Sequence, residues 1–561
     1  MSKKRWIVTI ASVALFTVIG WFIVSFIVAP VIAVIYEIFF SEGTFSIEVV
    51  KSLFRSKRVM GSLKNTYLMT FWTVLLVNIV GIFQIMVTEY FSVKGTRLLN
   101  LAFMTPLVYS SISLVTGYNF VYSSTGILTR ILVELFPGMN PFWFTGFSGV
   151  LFVHTFSMTG HHILFVKTAF RRIDYSTIEA CKSLGGNDMK AFVKVALPIV
   201  MPSIFSATIL VMLSSLNSFA APAVLGGKNF YMINSMIQNL NGIGSRDMAA
   251  LLSLILAATC IILLIVFQRV EKKRTFLSVS KVPSKMRKVK IKNQVLNCLI
   301  HVFSYIMAAI YLLPLLTLVI YSFSEFETIV SREMPRRLTL ENYIRVFTTN
   351  DTLKPFLNSV LLSGIAVAMV LVICVVSSLA IHKCKNKAVT ILEYSLLIPW
   401  IIPAMMLTVG LITLYSVPNV LVAGHILLGG FILLPIAYAV TNIPSAMRLM
   451  RASLYMINDS HEEAARSLGA NPLYTFFKVV LPVIKPTIVS VGAITFNGLL
   501  AEYTVTALLY SAKNIPLGIV LRSQESIPDP YIAANTLVYI VVLVVISSIT
   551  LGLTQKYRNE A

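Results

Sequence analysis

The chain has 561 residues, of which 57% are hydrophobic and only 12% are charged. Soluble globular chains contain about 25% charged residues, so this composition excludes a mainly soluble protein. The net charge of +23 does not indicate a nucleic-acid partner, because the Lys and Arg residues collect in short connections between apolar runs. Contact with anionic membrane lipids explains that charge better.

The apolar runs reach the roughly 20 residues that a helix needs to cross a bilayer. They predict an all-α polytopic membrane protein with about twelve transmembrane helices, because lipid does not tolerate unpaired backbone groups and no barrel-like alternation is present. Pro106, Pro399 and Pro403 are expected to bend the third and ninth spans. The predicted spans cover residues 7–40, 66–87, 98–121, 147–165, 197–221, 249–267, 295–322, 356–381, 392–414, 421–440, 481–501 and 531–553.

Basic clusters favour an orientation with the amino terminus in the cytoplasm. They lie before the first span, within residues 269–292, after the eighth span and after the last span. The basic loops at 51–58 and 332–337 oppose this orientation. The first of these loops contains interleaved apolar residues, so it predicts an amphipathic segment on the outer surface.

One short polar segment occurs twice, each time between the fourth and fifth spans of a set of six. The first copy reads EACKSLG at 179–185 with KVALP at 194–198, and the second reads EAARSLG at 463–469 with KVVLP at 478–482. The spacings within the two copies are the same. This parallel repeat predicts a pseudo-twofold axis along the membrane normal. It divides the chain into a first half at 1–268, a basic cytoplasmic linker at 269–294 and a second half at 295–561.

Each copy contains the signals of a helix that stops and restarts. Glu179 and Glu463 are expected near the positive end of a helix, where a carboxylate is stabilised. Gly185 and Gly469 permit a left-handed stop, and a proline then fits the first turn of the next span. A single copy could serve only as a helix cap, but two copies in matching loops favour a shared functional role.

The repeated segment resembles the EAA motif of permease subunits in bacterial ATP-binding-cassette (ABC) importers. A second resemblance is LTLENY at 338–343, followed by VF at 346–347 and LNS at 357–359, with a first-half echo in SLKNT at 62–66. This pattern is typical of the iron, polyamine and phosphonate branches. Cys181 departs from the motif, since it replaces the second Ala with another small residue. The resemblance implies a fused permease subunit of a binding-protein-dependent importer, most similar to the ferric iron branch.

The resemblance also implies partners for this chain. They are two copies of a cytoplasmic ABC ATPase and an extracellular or periplasmic solute-binding protein. GGKN at 226–229 lacks the spacing and the hydroxyl of a phosphate-binding loop, so ATP and Mg are expected on the partner ATPase, with no cofactor and no enzyme activity in this chain. The expected location is the bacterial inner membrane, with both termini cytoplasmic. The residues expected to couple to the ATPase are Glu179, Ala180, Gly185, Glu463, Ala464 and Gly469.

Ionisable residues at membrane depth are candidates for a substrate path. Glu502 and Tyr503 lie near the outer end of the eleventh span, and Asn217 and Ser218 are in the matching first-half region. A lone acid that faces the path favours a cation such as ferric iron, since hard cations prefer oxygen ligands. The alternative is a Glu502 carboxylate bonded to neighbouring backbone.

The fourth span contains His154 and His161, which share a helix face, and His162 beside them. Packing within the helix bundle explains these residues better than a metal relay does, so no metal site is assigned. Ferric iron is the predicted solute. The same machinery could instead import 2-aminoethylphosphonate, thiamine or polyamine, and an ion-driven secondary transporter is a remote alternative.

Overall fold

The computed structural model describes residues 14–41, 44–45, 47–227, 229–273, 287–291, 293–383, 386–454, 463–465, 467–523 and 530–560. Within these residues the chain is almost entirely helical, and the only strands are the antiparallel pair Phe40–Ser41 and Thr44–Phe45. The predicted all-α class is therefore confirmed. The basic residues before position 14 and most of the predicted linker lie outside the described ranges.

In the described part of the chain, nine helices are long and apolar enough to cross a membrane. Two helix pairs, bent by 119° and 106°, lie at the third and ninth predicted positions, where each counts as one span if the pair crosses the membrane together. The helix Leu433–Leu454 occupies the tenth of the twelve predicted positions. In chain order the candidate spans, together with the helix Leu433–Leu454, are Ala14–Phe39, Lys57–Tyr90, Thr96–Leu107 with Ser111–Leu135, Gly146–Phe170, Asp188–Leu216, Arg246–Phe267, Gln294–Ser322, Asn350–His382, Lys387–Ile401 with Ala404–Tyr415, Leu433–Leu454, Phe476–Leu500 and Tyr531–Thr554.

Shorter helices connect these spans. Three of the spanning helices also continue beyond the apolar segment, to Arg246–Lys273, Asn350–Lys383 and Pro530–Glu560. The predicted amphipathic segment after the first span is a helix that buries Leu53. The connecting helices are Glu48–Arg55, Tyr175–Ser183, Ala220–Leu225, Ile233–Gly242, Phe326–Ser331, Glu341–Thr348, Pro472–Thr475, Thr506–Leu509 and Leu517–Ser523.

The breaks lie where the prolines predict them. The third span breaks after the 3-10 turn Thr105–Leu107, which contains Pro106, and the ninth breaks at Ile402 and Pro403. Proline has no N–H group and restricts the residue before it, so a helix ends there readily.

The predicted bounds of the tenth span, 421–440, are wrong. A 3-10 turn at Val420–Val422 and a loop precede the helix, which begins at Leu433 and ends at Leu454. Gly424 and Gly429 have positive φ angles in this loop, a conformation that excludes helix.

Matching hydrogen bonds show that the two halves repeat in structure as well as in sequence. The Asn65 amide donates to the carbonyl oxygen of Tyr231, and the Asn358 amide donates to that of Ile515, both at 3.1 Å. The neighbouring hydroxyls are paired in the same way. The Thr66 hydroxyl accepts a hydrogen bond from the N–H of Ile233, and the Ser359 hydroxyl accepts one from the N–H of Leu517, both at 2.8 Å. Each pair fixes the start of the second or eighth span to the loop after the fifth or eleventh.

Each half packs its own first span against the third span of the other half. The Tyr415 hydroxyl of the ninth span donates to the carbonyl oxygen of Ser25 at 2.8 Å. Correspondingly, the Thr105 hydroxyl of the third span lies 3.4 Å from the carbonyl oxygen of Tyr311 in the seventh span. The two halves are therefore interlocked by their first helices.

A glycine lies at each of these crossings. A Cβ atom added at Gly410 would collide with the backbone carbonyl of Pro30 in the first span. A Cβ atom at Gly117 would lie 3.5 Å from Cβ of Pro314 and 2.9 Å from a terminal carbon of Leu318, both in the seventh span. Small residues permit this close approach of helices within a membrane.

Candidate functional site

The first repeated segment is the helix Tyr175–Ser183. The Asp174 carboxylate caps its start, accepting a 3.1 Å hydrogen bond from the N–H of Ser176. Glu179 is the fifth residue of this helix and is exposed. The prediction that Glu179 lies near the positive end is therefore wrong, because Asp174 occupies that position.

The second repeated segment is helical at residues 463–465, whereas 455–462 and 466 lie outside the described residues. Glu463 and Ala464 are exposed, as are Glu179 and Ala180 in the first copy. Neither glutamate makes an ion pair or side-chain hydrogen bond with a described residue. Both carboxylates are thus accessible to a partner.

Both segments end in the left-handed turn that the glycines predict. The φ angles of Gly185 and Gly469 are +82° and +81°. In each copy the next residue donates its N–H to the carbonyl oxygen five positions earlier, at 2.9 and 3.0 Å. This is the geometry of a helix closed by a glycine.

The leucine before each glycine is almost fully exposed, at 89% for Leu184 and 88% for Leu468. An exposed leucine alone needs no explanation. Here the same side chain projects from the turn of both copies, and each copy also has an exposed glutamate five positions earlier, Glu179 or Glu463. Composition did not reveal this feature, since a leucine in an apolar chain is expected to be buried.

After each turn the chain enters the next span through a single π-helical turn, Phe192–Ala196 in one half and Phe476–Val480 in the other. The following α-helical segments begin at Leu197 and Leu481 and have a proline in their first turn. Proline cannot donate the usual backbone hydrogen bond, and the wider π turn accommodates the missing donor. Pro198 and Pro482 therefore lie in the first turn of the α-helical segment after the π turn, and not in the first turn of the whole span.

A polar network braces the first repeated segment against the spans beside it. The Tyr90 hydroxyl donates to the carbonyl oxygen of Asp188 at 2.7 Å. Next to it, the Glu89 carboxylate binds Lys167 at 3.3 Å and Arg171 at 2.9 Å. These contacts join the chain after the first repeated helix to the second span, and they join the second and fourth spans to each other. The sequence reading missed this network because the partners are far apart along the chain.

At the other end of the eleventh span, the Glu502 carboxylate caps the turn formed by the residues that directly follow it. Its carboxylate accepts hydrogen bonds from the backbone N–H groups of Thr504 at 2.6 Å, Val505 at 3.1 Å and Thr506 at 3.1 Å. It also accepts one from the Thr506 hydroxyl at 3.0 Å. This geometry matches the alternative in which the carboxylate bonds to neighbouring backbone, and it leaves little capacity for a solute.

An aromatic pair joins the two halves beside this turn. The rings of Phe219 and Tyr503 stack with centroids 5.0 Å apart and planes 10° apart, and the side chains are 2% and 3% exposed. Tyr503 lies 284 positions after Phe219, the offset that also separates Glu463 from Glu179. The pair thus consists of equivalent residues that meet between the halves. The sequence reading missed Phe219, although this constant offset aligns it with Tyr503.

A cavity of about 400 Å³ lies next to the aromatic pair. Asn217, Ser218, Phe219 and Thr504 are in its wall. Glu502 is not among its described lining residues. The lining residues are Pro106, Tyr109, Ser111, Leu114, Val115, Val153, His154, Ser157, Met158, Ser214, Asn217, Ser218, Phe219, Ala220, Ala221 and Thr504.

The histidines of the fourth span are hydrogen-bonded separately. Nε2 of His154 lies 2.8 Å from the Ser218 hydroxyl, and Nε2 of His161 lies 3.2 Å from the Ser214 hydroxyl. His162 pairs at 3.1 Å with an amide oxygen of the second span. Among the described residues, no group of three or more His, Cys, Asp or Glu could hold a metal ion. These contacts pack the fourth span against its neighbours.

Comparison with known proteins identifies the family. The model of a protein family described as "Binding-protein-dependent transport system inner membrane component" matches residues 382–559 of this chain. The probable ABC transporter permease protein y4fN of Sinorhizobium fredii is 39% identical over 551 residues, covering 97% of each chain. The Fe(3+)-transport system permease protein FbpB 2 of Haemophilus influenzae is 27% identical over 515 residues, covering 91% of this chain and 92% of that protein.

Among solved structures, a bacterial ABC transporter involved in the import of the acidic polysaccharide alginate matches with a TM-score of 0.40 and 18% identity. The match covers 49% of this chain and 97% of that chain. The match to y4fN extends over 97% of each chain and therefore spans both halves of this one. The chain therefore belongs to the ABC transporter permeases, as a fused permease subunit of the binding-protein-dependent import type.

Proposed function

We propose that this permease moves ferric iron from an external binding protein into the cytoplasm. The observation that supports the proposal most is the 27% identity to a permease named for Fe(3+) transport, which extends over 91% of this chain. That alignment includes both halves and the residues around the cavity.

The two repeated segments are proposed to be the contact points for two copies of a cytoplasmic ABC ATPase. Glu179 and Glu463 are exposed and unpaired among the described residues, so each can pair with a cationic group of that partner. Leu184 and Leu468 then fill an apolar pocket of that partner, since removal of exposed apolar surface from water favours association. Ala180, Ala464 and the two turn glycines keep the backbone accessible. ATP and Mg are bound by the partner.

This proposal sets the orientation of the chain. The side of the membrane with the repeated segments is cytoplasmic, and both termini lie there, in the inner membrane of a bacterium. The division into a half at 1–268, a linker at 269–294 and a half at 295–561 is part of the same proposal. The parallel hydrogen bonds of Asn65 and Asn358 support two equivalent halves.

The solute path is proposed to run between the halves. Phe219 and Tyr503 close its outer end, because their stacked rings occupy the place where the halves meet. Asn217 and Ser218 face the solute below that closure. Glu502 contributes indirectly, since its carboxylate holds the turn that places Tyr503 and Thr504.

Uptake measurements test the proposal. A strain that lacks this chain is complemented with wild type or with the double variant Leu184→Asp, Leu468→Asp, and uptake of ⁵⁵Fe supplied as ferric citrate is measured. Leu184 and Leu468 are proposed to be buried only in the complex with the ATPase. Loss of both contacts is expected to weaken that complex by about 2–4 kcal/mol in total. We therefore expect wild-type ⁵⁵Fe uptake and at least a tenfold lower rate in the variant, with less ATPase recovered on purification.

Met334→Asp is the matched control, since Met334 is 82% exposed in a different loop and should support full uptake. Equal ⁵⁵Fe uptake with and without the wild-type chain would contradict the ferric assignment. Full ATPase recovery with the double variant would contradict the coupling role.

A further inference from the structure

A second cavity, which we call the basic cavity, opens at the start of the second span. Its volume is about 460 Å³, and its wall contains two cations, Lys57 and Arg58, but no described Asp or Glu. Two contacts join the segments that form the wall. The Asn65 amide donates to the carbonyl oxygen of Tyr231 at 3.1 Å, and the Arg58 guanidinium lies 5.3 Å from the centre of the Tyr231 ring. Two segments of the first half that are far apart in the sequence therefore form one cavity.

The two cations of the basic cavity are accessible. Lys57 and Arg58 are exposed, and neither forms an ion pair with a described residue. Three cations nearby in the sequence, Lys51, Arg55 and Lys64, are exposed as well. Residues 48–65 thus contain five cations and a single carboxylate. Exposed charges of one sign raise the local concentration of the opposite charge, so this surface attracts anions.

The second half does not repeat this charge. The helix Glu48–Arg55 has its equivalent in Glu341–Thr348, which lies 293 positions later, the offset that also separates Asn358 from Asn65. None of the five cations has a basic equivalent at this offset, where the residues are Ile344, Thr348, Asn350, Asp351 and Leu357. The equivalent helices form without these cations, so the fold does not require them. Their presence in one half alone points to a ligand that binds there.

The basic cavity lies at the depth of lipid headgroups. Its wall follows the second span from Lys57 to Asn65, a length of about 12 Å at 1.5 Å per residue. A run of exposed apolar side chains begins directly after it, with Tyr67, Leu68 and Phe71, as expected where a span enters the hydrocarbon. The other end of this span lies beside the first repeated segment, so the cavity is on the opposite face of the membrane. The anions at this depth are lipid phosphates.

We propose that the basic cavity binds the phosphate group of an anionic lipid in the outer leaflet. The Lys57 ammonium pairs with one phosphate oxygen, and the Arg58 guanidinium donates to two. Phe54 and Met60 are 67% and 37% exposed and lie within three positions of these cations, so they offer apolar surface to acyl chains, which a free phosphate lacks. The term outer leaflet rests on the orientation in the proposed function, whereas the cavity and its ligand do not depend on the imported solute.

Photo-crosslinking tests this site. The full-length permease is reconstituted in phosphatidylcholine nanodiscs that contain a small fraction of phosphatidylglycerol with a diazirine in its headgroup. After illumination, mass spectrometry measures the labelled fraction of the peptide that covers residues 51–66. We expect this peptide to be labelled in wild type. The double variant Lys57→Gln, Arg58→Gln should lower the labelled fraction about thirtyfold at low probe content, because it removes two cations near an anionic surface.

Lys354→Gln is the matched control, since it removes an exposed cation from the start of the eighth span, and it should be labelled like wild type. The pair Lys57→Arg, Arg58→Lys keeps both charges and should also be labelled. An unlabelled wild type, or equal labelling of the double glutamine variant, would overturn the lipid site. Equal labelling by a phosphatidylcholine probe would overturn its preference for an anionic lipid.

Addition of inorganic phosphate distinguishes the two sources of a phosphate group. We expect unlabelled phosphatidylglycerol to compete with the probe and inorganic phosphate to have little effect. Competition by inorganic phosphate as strong as that by the lipid would assign the cavity to a free anion and overturn the proposal. The measurement needs no iron, so a failure of the proposed import in uptake assays would leave its result unchanged.

Discussion

At the scale of single residues, Glu502 shows how an acid at membrane depth can have a local role. Four donor groups of the next turn make hydrogen bonds to its carboxylate. The turn in question contains Tyr503, which stacks on Phe219, and Thr504, which lines the cavity. The glutamate thus positions two residues of the proposed path without facing the path.

Substitution of Glu502 distinguishes a role in holding this turn from direct contact with the solute. Glu502→Gln keeps the shape but retains only one acceptor oxygen, so we expect a loss of about 1 kcal/mol in stability and a lower melting temperature of the purified permease. The KM for ⁵⁵Fe uptake should not change at a temperature where the variant is folded. A KM that rises while the melting temperature stays at the wild-type value would show that the carboxylate contacts the solute.

At the scale of helices, two glycine crossings hold the halves together. Gly410 of the ninth span has the backbone of Pro30 directly against it, whereas Gly117 of the third span faces the end of the flexible Leu318 side chain. Backbone cannot move aside as a side chain end can, so the two crossings differ in how much extra volume they tolerate.

This difference predicts an asymmetric response to one added methyl group. Gly410→Ala should destabilise the permease by about 1–3 kcal/mol, whereas Gly117→Ala should have a smaller effect. The thermal midpoint of the purified protein, measured by size-exclusion recovery after heating, reports both. Gly364→Ala serves as the control, since nothing lies within 4 Å of a Cβ atom there. A larger loss for Gly117→Ala than for Gly410→Ala would contradict the crossing geometry.

At the scale of the whole molecule, the interlocked first helices predict how the chain responds to a break in the linker. Fragments 1–280 and 281–561, expressed together, should assemble and restore uptake, because the contacts between the halves do not need the connecting peptide. Either fragment alone lacks the helix that covers its third span and should be degraded. Pull-down through a tag on the first fragment measures assembly. A stable, monodisperse fragment 1–280 without its partner would refute the interlock.

Only those features of the whole molecule that depend on local signals could be predicted from the sequence. Apolar runs, prolines and the glycine stops are local signals, so the class, the two broken spans and both left-handed turns follow from a few adjacent residues. The start of the tenth span cannot be predicted in this way, because the loop before Leu433 is itself apolar. The Phe219–Tyr503 stack, the Glu89 network and the cavity depend on contacts between distant parts of the chain, which composition and spacing do not encode.

The interlocked first helices also determine when contacts can form during synthesis of the chain. Ser25 and its partner Tyr415 are separated by 390 residues, so a ribosome that adds roughly 5–20 residues per second completes the pair about 20–80 seconds after the first span emerges. During that interval the first span must persist in the bilayer without its partner from the second half. Its high mean hydropathy of 2.7 makes the single helix stable in the bilayer, because lipid solvates its apolar surface until the ninth span is inserted. Truncated chains that end before residue 404 would leave that surface uncovered, and membrane proteases could recognise them by it.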